Sequence, residues 1–548
     1  MLTGFVSQKQ FAEHLLAEPL EPNARALLEL RLPMKHIAWT IGGSDSGGGA
    51  GIQADIKTFN ALGVHGCSII TAITAQNTTG VNSIEAVSPV MIESQIQALL
   101  EDLPPKAIKT GMLYSIETIK QIGSFLATSK AFKICDPVMI ATSGSSLLCN
   151  DGAIQTFNDC ILPNIDLLTP NLPEAEALLR IQNSHATNPS ESYVQDLAKR
   201  LIALGPKAVL IKGGHSGGPF SNDYFQSNNY SACLLSKRID TKSTHGTGCT
   251  LSAAIAATIA LDYPIEDAMV IAKAYVNQGL RTAKPLGQGH GPIEQSDWPE
   301  TFCDLPLLVL PSTNDLAINK WFNLPAFPDC GAEKLGVYPI VDNSAWLEKL
   351  LPLGISTIQL RIKANNNGNQ KHTENEIIKA IEIAKRFNCR LFINDYWQSA
   401  IKYGAYGVHL GQEDLNSVDI EALLKAGIRL GISTHSYSEV ARALAYKPSY
   451  IAIGPIYRTT TKEMSWQPQG LDNLKRWRRS LPYPLIAIAG ITLERLPAVI
   501  AAGADGVAVI KDILNDEDPI AKTKIWLETY TAAISDKYAS PIKVNFTY

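Results

Sequence analysis

Four short stretches in the second half of this chain gather the residue types that hold a diphosphate. Residues 457–462 read Tyr-Arg-Thr-Thr-Thr-Lys, just past Gly454-Pro455 and a short apolar run at 450–453. Threonine hydroxyls and backbone N–H groups bond phosphate oxygens, and the ammonium of Lys462 offsets their charge. Upstream, Gln359, Arg361 and Lys363 bring an amide and two cations. Asn394-Asp395 and Gly411-Gln412-Glu413-Asp414 bring carboxylates. These suit Mg²⁺, a hard cation held by one or two carboxylates together with phosphate oxygens. Asp395 and Asp414 have a second reading as helix caps. Each stretch alone is weak, and a run of threonines is more often a plain turn. Together, cationic loops, two acids and a hydroxyl loop point to Mg-diphosphate chemistry.

The first half carries a different set. Residues 42–51, Gly-Gly-Ser-Asp-Ser-Gly-Gly-Gly-Ala-Gly, follow an apolar run at 37–41. A glycine-rich loop after a strand covers a small ligand or phosphates with backbone N–H groups. This one is neither a P-loop nor a dinucleotide fingerprint, so a plain loop stands beside that reading. Thr244-His245-Gly246-Thr247-Gly248-Cys249-Thr250 opens an alanine-rich helical stretch at 251–260. Small residues at a helix N-terminus present free N–H groups and a positive dipole end, an anion hole for a moving phosphoryl group. Cys249 sits there, where a thiol pKa is lowered and the thiolate can act as a base. The alternative is a buried small apolar residue. His245 reads as a packing or loop residue rather than a base. His409 and His435 end or follow strands without a third ligand at metal spacing, and read as supports for their neighbours. Asp55 has a plain reading as a first-turn helix residue.

The elements that must position these groups are legible too. After about residue 335, apolar runs recur with helical stretches between them, at 337–341, 357–360, 391–393, 407–410, 430–432, 450–453, 485–489 and 507–510. Eight such runs in roughly 200 residues are what an eight-stranded α/β barrel needs. Almost every run ends in a polar or glycine residue, and the active groups of such barrels sit at the C-terminal strand ends. Gly490 and Gly503 fit close backbone approach to a phosphate.

The barrel half resembles thiamine-phosphate synthase, through the words QLRIK, FINDYW, GVHLGQEDL, GISTHS, IGPIYRTTTK, AIAGI and GADGVAVI between about 336 and 513. The resemblance implies that Gln359, Arg361 and Lys363 contact a pyrimidine diphosphate, with Asn394 beside it. It implies that Asp395 and Asp414 hold Mg²⁺ and that Ser433 and Lys462 reach the diphosphate. Thr459, Thr461 and the backbone at Gly490 then lie nearer a thiazole phosphate. Two positions depart from the family pattern: Ala489 replaces the first glycine of Ile-Gly-Gly-Ile, and Lys511 stands where a serine usually meets the thiazole phosphate.

The first half resembles hydroxymethylpyrimidine/phosphomethylpyrimidine kinase, of ribokinase-like fold, from about 36 to 292. The shared words are SGGGAGIQADIKTF, GCSIITAITAQNT, IKTGML, DPVM, LLTPNLPEAEAL, VLIKGGH and STHGTGCTLSAAIA. By this resemblance Gly43, Asp55, Gln76 and Met112 line the pyrimidine pocket, with Val138 nearby. Asn171 and Glu174 lie near Mg-ATP and Lys212 near the nucleotide phosphates. Gly246, Gly248 and Cys249 supply the anion hole and the base. Ser46 stands where the family usually has a proline, which changes loop stiffness more than chemistry.

The expected architecture is therefore an α/β chain, a ribokinase-like α/β domain (35–292) followed by a (β/α)8 TIM barrel (334–548). An N-terminal extension (1–34) precedes them and a linker (293–333), packed in part by Trp298, Trp321 and Phe322, joins them. The chain has 548 residues, enough for two cores, and a net charge of −4, which argues against a nucleic-acid partner. No apolar run approaches the ~20 residues that span a bilayer. Nine cysteines without a Cys-x-x-Cys pair suit reduced thiols in a cytoplasm. Residues 1–34 lack the apolar core of a signal peptide and contain several glutamates, against a transit peptide, while 11–16 and 24–30 look helical.

The implied function is bifunctional. ATP phosphorylates 4-amino-5-hydroxymethyl-2-methylpyrimidine and then its monophosphate, and the barrel joins the diphosphate to thiazole phosphate with loss of pyrophosphate. Small molecules are the expected partners, and a homo-oligomer stays open. A pyridoxal-type salvage kinase and a non-catalytic thiamine-precursor sensor are the alternatives. The acids and the candidate base speak against the sensor.

Overall fold

A computed structural model describes residues 35–139, 151–181, 189–214, 217–311, 319–331, 334–362, 370–459 and 467–539. The expected helices at 11–16 and 24–30, together with Lys363, Thr461 and Lys462, lie outside the described residues.

The first half is built on one ten-stranded sheet: β1 (Ile37–Asp45), β2 (His65–Gln76), β3 (Val81–Ala86), β4 (Ala107–Thr110), β5 (Phe132–Cys135), β6 (Leu167–Leu168), β7 (Ala208–Ile211), β8 (Phe220–Ser227), β9 (Ser231–Lys237) and β10 (Leu307–Val309). Their order is β10-β9-β8-β7-β6-β5-β4-β1-β2-β3. The strands from β7 through β1 to β2 run parallel, and β3, β8, β9 and β10 are antiparallel to their neighbours. Alternate residues of β1 serve two cores. Ala38 joins the helices Thr247–Ala260 and Ile265–Thr282 on one face, while Trp39 and Ile41 join the helices Pro89–Asp102 and Ile116–Thr128 on the other. The helix Thr247–Ala260 is buried on nearly every side, so its alanines pack closely against the sheet where longer side chains would not fit. Order reverses at β1, with β2 on one side and β4 on the other, and such a switch opens a crevice at the carboxyl ends of the strands.

The second half is a closed barrel of eight parallel strands: β11 (Gly336–Val341), β12 (Thr357–Leu360), β13 (Arg390–Asn394), β14 (Gly407–Leu410), β15 (Arg429–Thr434), β16 (Tyr450–Ile453), β17 (Leu485–Ala487) and β18 (Gly506–Val509). The barrel closes where β18 pairs with β11. Its interior is filled by Tyr338, Phe392, Tyr450 and Ile486. Two strand glycines make that filling possible. A Cβ at Gly407 would lie 2.5 Å from the Phe392 ring, and one at Gly431 would lie 2.1 Å from the Tyr450 ring.

Three features differ from the sequence expectation. The first strand does not stop at residue 41; it runs to Asp45 with an irregularity between Gly42 and Gly43, so the glycine loop proper begins at Ser46. The run at 485–489 ends as a strand at Ala487, because Ala489 takes a left-handed backbone conformation with φ of 70°. The segment 293–333 is more than a linker. It gives the sheet its outer strand β10, and Trp298 packs against Tyr263 and Tyr437 across the domain boundary. The apolar core on that face of the sheet continues without a break into the barrel's helical layer.

Candidate active sites

At the switch point the strand ends enclose a cavity of about 670 Å³. Every described kinase-side residue singled out from the sequence lines it: Gly43, Asp55, Gln76, Met112, Val138, Asn171, Glu174, Lys212, Gly246, Gly248 and Cys249. Two glycine loops meet here back to back. Gly246, with φ of 80°, is the N-cap of the helix Thr247–Ala260, and a Cβ there would lie 1.9 Å from the carbonyl oxygen of Gly49. The Asp45 carboxylate holds the loops in register. It accepts the N–H groups of Gly47, Gly49 and Ala50 at 2.8–3.0 Å and lies 3.1 Å from Nε2 of His245. Burial alone would raise this carboxyl; the His245 contact and the backbone donors outweigh it and hold it below the usual range. His245 is thus a loop residue, as its sequence position suggests.

Buried charge in this cavity is paired. Lys109 and Asp55 form an ion pair at 2.8 Å with both side chains almost fully buried. Burial pushes the Asp55 carboxyl up and the pairing pushes the Lys109 ammonium up; at this distance the charged pair is the form both partners stabilise. Asp55 Oδ2 also accepts from Thr40 at 2.5 Å, whereas Oδ1 is buried without a hydrogen-bond partner among the described residues. Lys212 pairs with Asp136 at 2.5 Å and lies 3.7 Å from Glu174. Burial, opposed by Lys212 and reinforced by Asp136, pushes Glu174 up to about 7. Asn171 and Glu174 also form a reciprocal capping box at the helix Leu172–Leu178, which fixes both side chains. At Gly248 an added Cβ would sit 3.1 Å from Nζ of Lys212, so glycine keeps the helix N-terminus open beside that cation.

Lys109 and Asp136 were not singled out from the sequence. Both stand at C-terminal strand ends inside the words IKTGML and DPVM, where a charged residue closing an apolar run was the available signal. The expected depression of the Cys249 thiol is corrected. Burial pushes it up to about 11, and Asp55 and Asp136 add to this against the opposing charge of Lys109. A helix N-terminus does not overcome desolvation here.

In the barrel, the amide of Gln359 donates to Asn394 at 2.9 Å, bringing the ends of β12 and β13 together. Arg361 follows β12, with its N–H on the carbonyl of Val341. Asp395 stands exposed at the end of β13 with φ of 64°, and its N–H donates to His409. Asp414 accepts from the N–H of Gly411 at 2.9 Å, closing the turn after β14. Ser433 lies 2.8 Å from Nε2 of His409; Nδ1 of that ring lies 2.7 Å from the Tyr450 hydroxyl, itself 3.0 Å from that of Tyr338. Burial, with the charges of Arg361 and His435, pushes His409 down to about 4, so the ring is neutral at working pH. His409, near the end of β14, therefore supports Ser433. His435 pairs with Glu439 at 2.8 Å.

The loop bearing Thr459 lies against Gly490. A Cβ at Gly490 would meet the carbonyls of Tyr457 and Arg458 at 2.6 Å. Arg495, not singled out from the sequence, donates to the Gly490 carbonyl and stacks on the Tyr457 ring at 4.4 Å. Lys511 is exposed at the start of a short helix after β18. Asp395 and Asp414 follow adjacent strands, β13 and β14, and no group of three acidic, histidine or cysteine side chains among the described residues forms a metal cage. Two carboxylates completed by phosphate oxygens and water fit Mg²⁺.

A crevice lined by buried lysine–carboxylate pairs on one sheet and a barrel mouth flanked by Arg361, Asp395 and Asp414 make two separate candidate centres. The family model for phosphomethylpyrimidine kinase matches residues 45–294, and that for thiamine monophosphate synthase matches 337–513. A probable thiamine biosynthetic bifunctional enzyme of Oryza sativa subsp. japonica is 32% identical over 520 residues, covering 91% of this chain and 90% of the relative. The thiamine-phosphate synthase of Yersinia pestis is 52% identical over 195 residues, 35% of this chain and 89% of that one. Among solved structures, pyridoxal kinase from Staphylococcus aureus aligns with a TM-score of 0.46 and 28% identity over 51% of this chain and 99% of its own. The chain belongs to the family of thiamine biosynthetic bifunctional enzymes, with a phosphomethylpyrimidine kinase half and a thiamine monophosphate synthase half folded as a closed eight-stranded barrel.

Two predictions follow from this geometry. Alkylation of Cys249 by iodoacetamide in the ligand-free protein, followed by peptide mass spectrometry, should keep accelerating up to about pH 11, since the thiolate forms only there. A plateau near neutrality would show a preformed thiolate. Ala489→Gly relieves a left-handed alanine at the cost of a looser unfolded chain, and the net gain should raise the barrel's unfolding midpoint by about 1–3 °C. Scanning calorimetry would read it, and a lowered midpoint would show that the alanine is unstrained.

Proposed function

We propose that the first half phosphorylates the hydroxymethylpyrimidine alcohol and then its monophosphate with ATP, and that the barrel condenses the resulting diphosphate with thiazole phosphate. The observation carrying this reading is the gathering of all the described kinase-side residues around one cavity that also holds three buried lysine–carboxylate pairs, Lys109–Asp55, Lys212–Asp136 and Lys273–Asp223. Asp55 and Gln76, which both line the cavity, read the pyrimidine edge. Lys212 and the N–H groups at Gly246, Gly248 and Cys249 receive the transferring phosphoryl group. Cys249 can take the hydroxymethyl proton only as a thiolate, so its own proton must leave the site before transfer, at a cost that its raised pKa sets. Asn171 and Glu174 face the nucleotide side, where Mg²⁺ bound with ATP would neutralise phosphate charge.

In the barrel, Gln359, Arg361, Asn394 and Ser433 hold the pyrimidine diphosphate, joined by Lys363 and Lys462. Asp395 and Asp414 would hold Mg²⁺, which supplies charge stabilisation for the departing diphosphate. The neutral His409 orients Ser433 so that its hydroxyl proton points to the anion. Thr459, Thr461, Gly490 and Lys511 form the thiazole-phosphate side. All eight described cysteines whose state is known are free thiols, which supports work in a reducing compartment, the cytoplasm; subcellular fractionation tests it.

The coupled assay uses pyrimidine alcohol, ATP, Mg²⁺ and thiazole phosphate, with thiamine phosphate as the readout and pyridoxal as the competing kinase substrate. Asp395→Asn or Asp414→Asn should abolish thiamine phosphate formation and leave pyrimidine phosphorylation intact. Cys249→Ala should do the reverse, cutting the kinase kcat by roughly 10²–10⁴. Loss of both activities in a folded variant would break the division of labour, and preferential turnover of pyridoxal would overturn the substrate assignment.

A second prediction concerns the departure at Lys511. A lysine adds full charge where a serine offers one hydroxyl, and charge-assisted contacts are about twice as strong as neutral ones. Lys511→Ser should raise the KM for thiazole phosphate, by less at high salt, and leave the kinase unchanged. An unchanged KM at low ionic strength would leave that phosphate to backbone groups.

A further inference from the structure

Asp267 lies in the first turn of the helix Ile265–Thr282 of the kinase half, only 4% exposed. Its carboxylate serves the other domain. Oδ1 accepts both the N–H and the hydroxyl of Ser438, at 2.8 and 2.7 Å, and the Ser436 hydroxyl and the Tyr437 N–H also bond to this carboxylate. These donors are the N-terminus of the barrel helix Tyr437–Ala445, whose first N–H groups have no partner within the helix. That helix follows β15, which carries Ser433 near its end. We infer that Asp267 is a positioning residue for the synthase reaction: a carboxylate of the kinase half caps the barrel helix and thereby fixes the strand-end segment that presents Ser433.

The path from the cap to Ser433 is short and stiff. Thr434 bonds the Ala452 carbonyl and receives the Gly454 N–H. The N–H and ring of His435 both bond Glu439, inside the capped helix. The carbonyl of His435 accepts from Gln469, whose own N–H bonds Pro455 and whose side chain is held by Trp477. Tyr437 is locked from the kinase side by Trp298 and Tyr263, and from the barrel side by Trp477. A carboxylate at a helix N-terminus satisfies orphan donors and complements the dipole, and the apolar packing around Tyr437 keeps water from replacing it. A plain interfacial contact would affect both synthase substrates alike; a brace on Ser433 acts on the diphosphate.

The inference rests on the reading of the barrel mouth as the diphosphate site. The test feeds the full chain with preformed pyrimidine diphosphate and thiazole phosphate. Asp267→Ala should raise the KM for pyrimidine diphosphate about 3- to 10-fold, leaving the KM for thiazole phosphate and the kinase constants within about twofold. Asp267→Asn, which keeps shape and one acceptor oxygen, should recover much of the loss. Ser438→Ala breaks one of the same bonds from the other side and serves where Asp267→Ala does not fold. Hydrogen exchange across 433–440 should accelerate in Asp267→Ala. An unchanged KM for pyrimidine diphosphate in a folded variant, an equal rise in both KM values, or unchanged exchange would overturn the positioning role. If the parent chain forms no thiamine phosphate, the functional reading fails, and exchange at 433–436 still decides whether Asp267 fixes that segment.

Discussion

The carboxyl end of a parallel strand is where a backbone leaves its hydrogen-bonded ladder, and both halves of this chain place their chemistry there. Donors that the ladder no longer pairs must find another acceptor. In the first half, the Asp45 carboxylate absorbs three N–H groups of the glycine loop. That internal anion satisfies one loop, presses it against the second, and leaves the N-terminus of the helix Thr247–Ala260 turned to the cavity. In the barrel, the equivalent donors close turns onto Asp414 and Glu439 or meet carbonyls across the mouth. On the proposed reading, an incoming phosphate completes an acceptor set that each fold has left partly open.

The two sites solve the desolvation problem differently. The kinase crevice holds its lysines in pairs with buried carboxylates before any ligand arrives, so no uncompensated ammonium is stranded in the apolar interior. Burial, reinforced by the same carboxylates, raises the Cys249 thiol, which is why it stays protonated at rest despite its helix N-terminus. The barrel floor carries no buried ion pair in the line from Tyr338 to Ser433. It uses a neutral chain of two tyrosines, a histidine and a serine, in which each group has one proton to give. If Ser433 donates to an anion, His409 must donate to Ser433, Tyr450 to His409 and Tyr338 to Tyr450. The ligand's charge thus sets the direction of every bond in the row.

Much of this was legible in the sequence where local pattern decides structure. The strands at 357–360, 407–410 and 450–453 have the bounds their apolar runs suggest, because polar or glycine residues punctuate both ends. Residues such as Gly43, Gln76 and Met112 came together because their strands are neighbours in the sheet. What stayed hidden depends on distant partners. The extension of β1 through Gly42 and Gly43 needs β2 alongside it. The strand β10 is three residues long and exists only by pairing with β9. The Cys249 shift follows from burial among Asp55, Asp136 and Lys109, which no spacing reveals. Ala489, visible as a departure, shows its meaning only through its backbone angle.

The contact around Tyr437 bears on why the halves share a chain. Asp267 and Ser438 are 171 residues apart, and their bond lies in an interface of aromatic rings and a stacked arginine, Arg476 over Trp298 at 4.7 Å. A carboxylate buried at such a boundary has little water to fall back on, so its donors must stay in place for the interface to be stable. The helix that carries Asp267 also lines the kinase cavity, through Lys273, Val276 and Asn277. One helix therefore floors the first site and caps an element of the second. Fusion on these terms supplies a fixed mutual geometry: the two halves are braced against each other at an interface that already belongs to both sites.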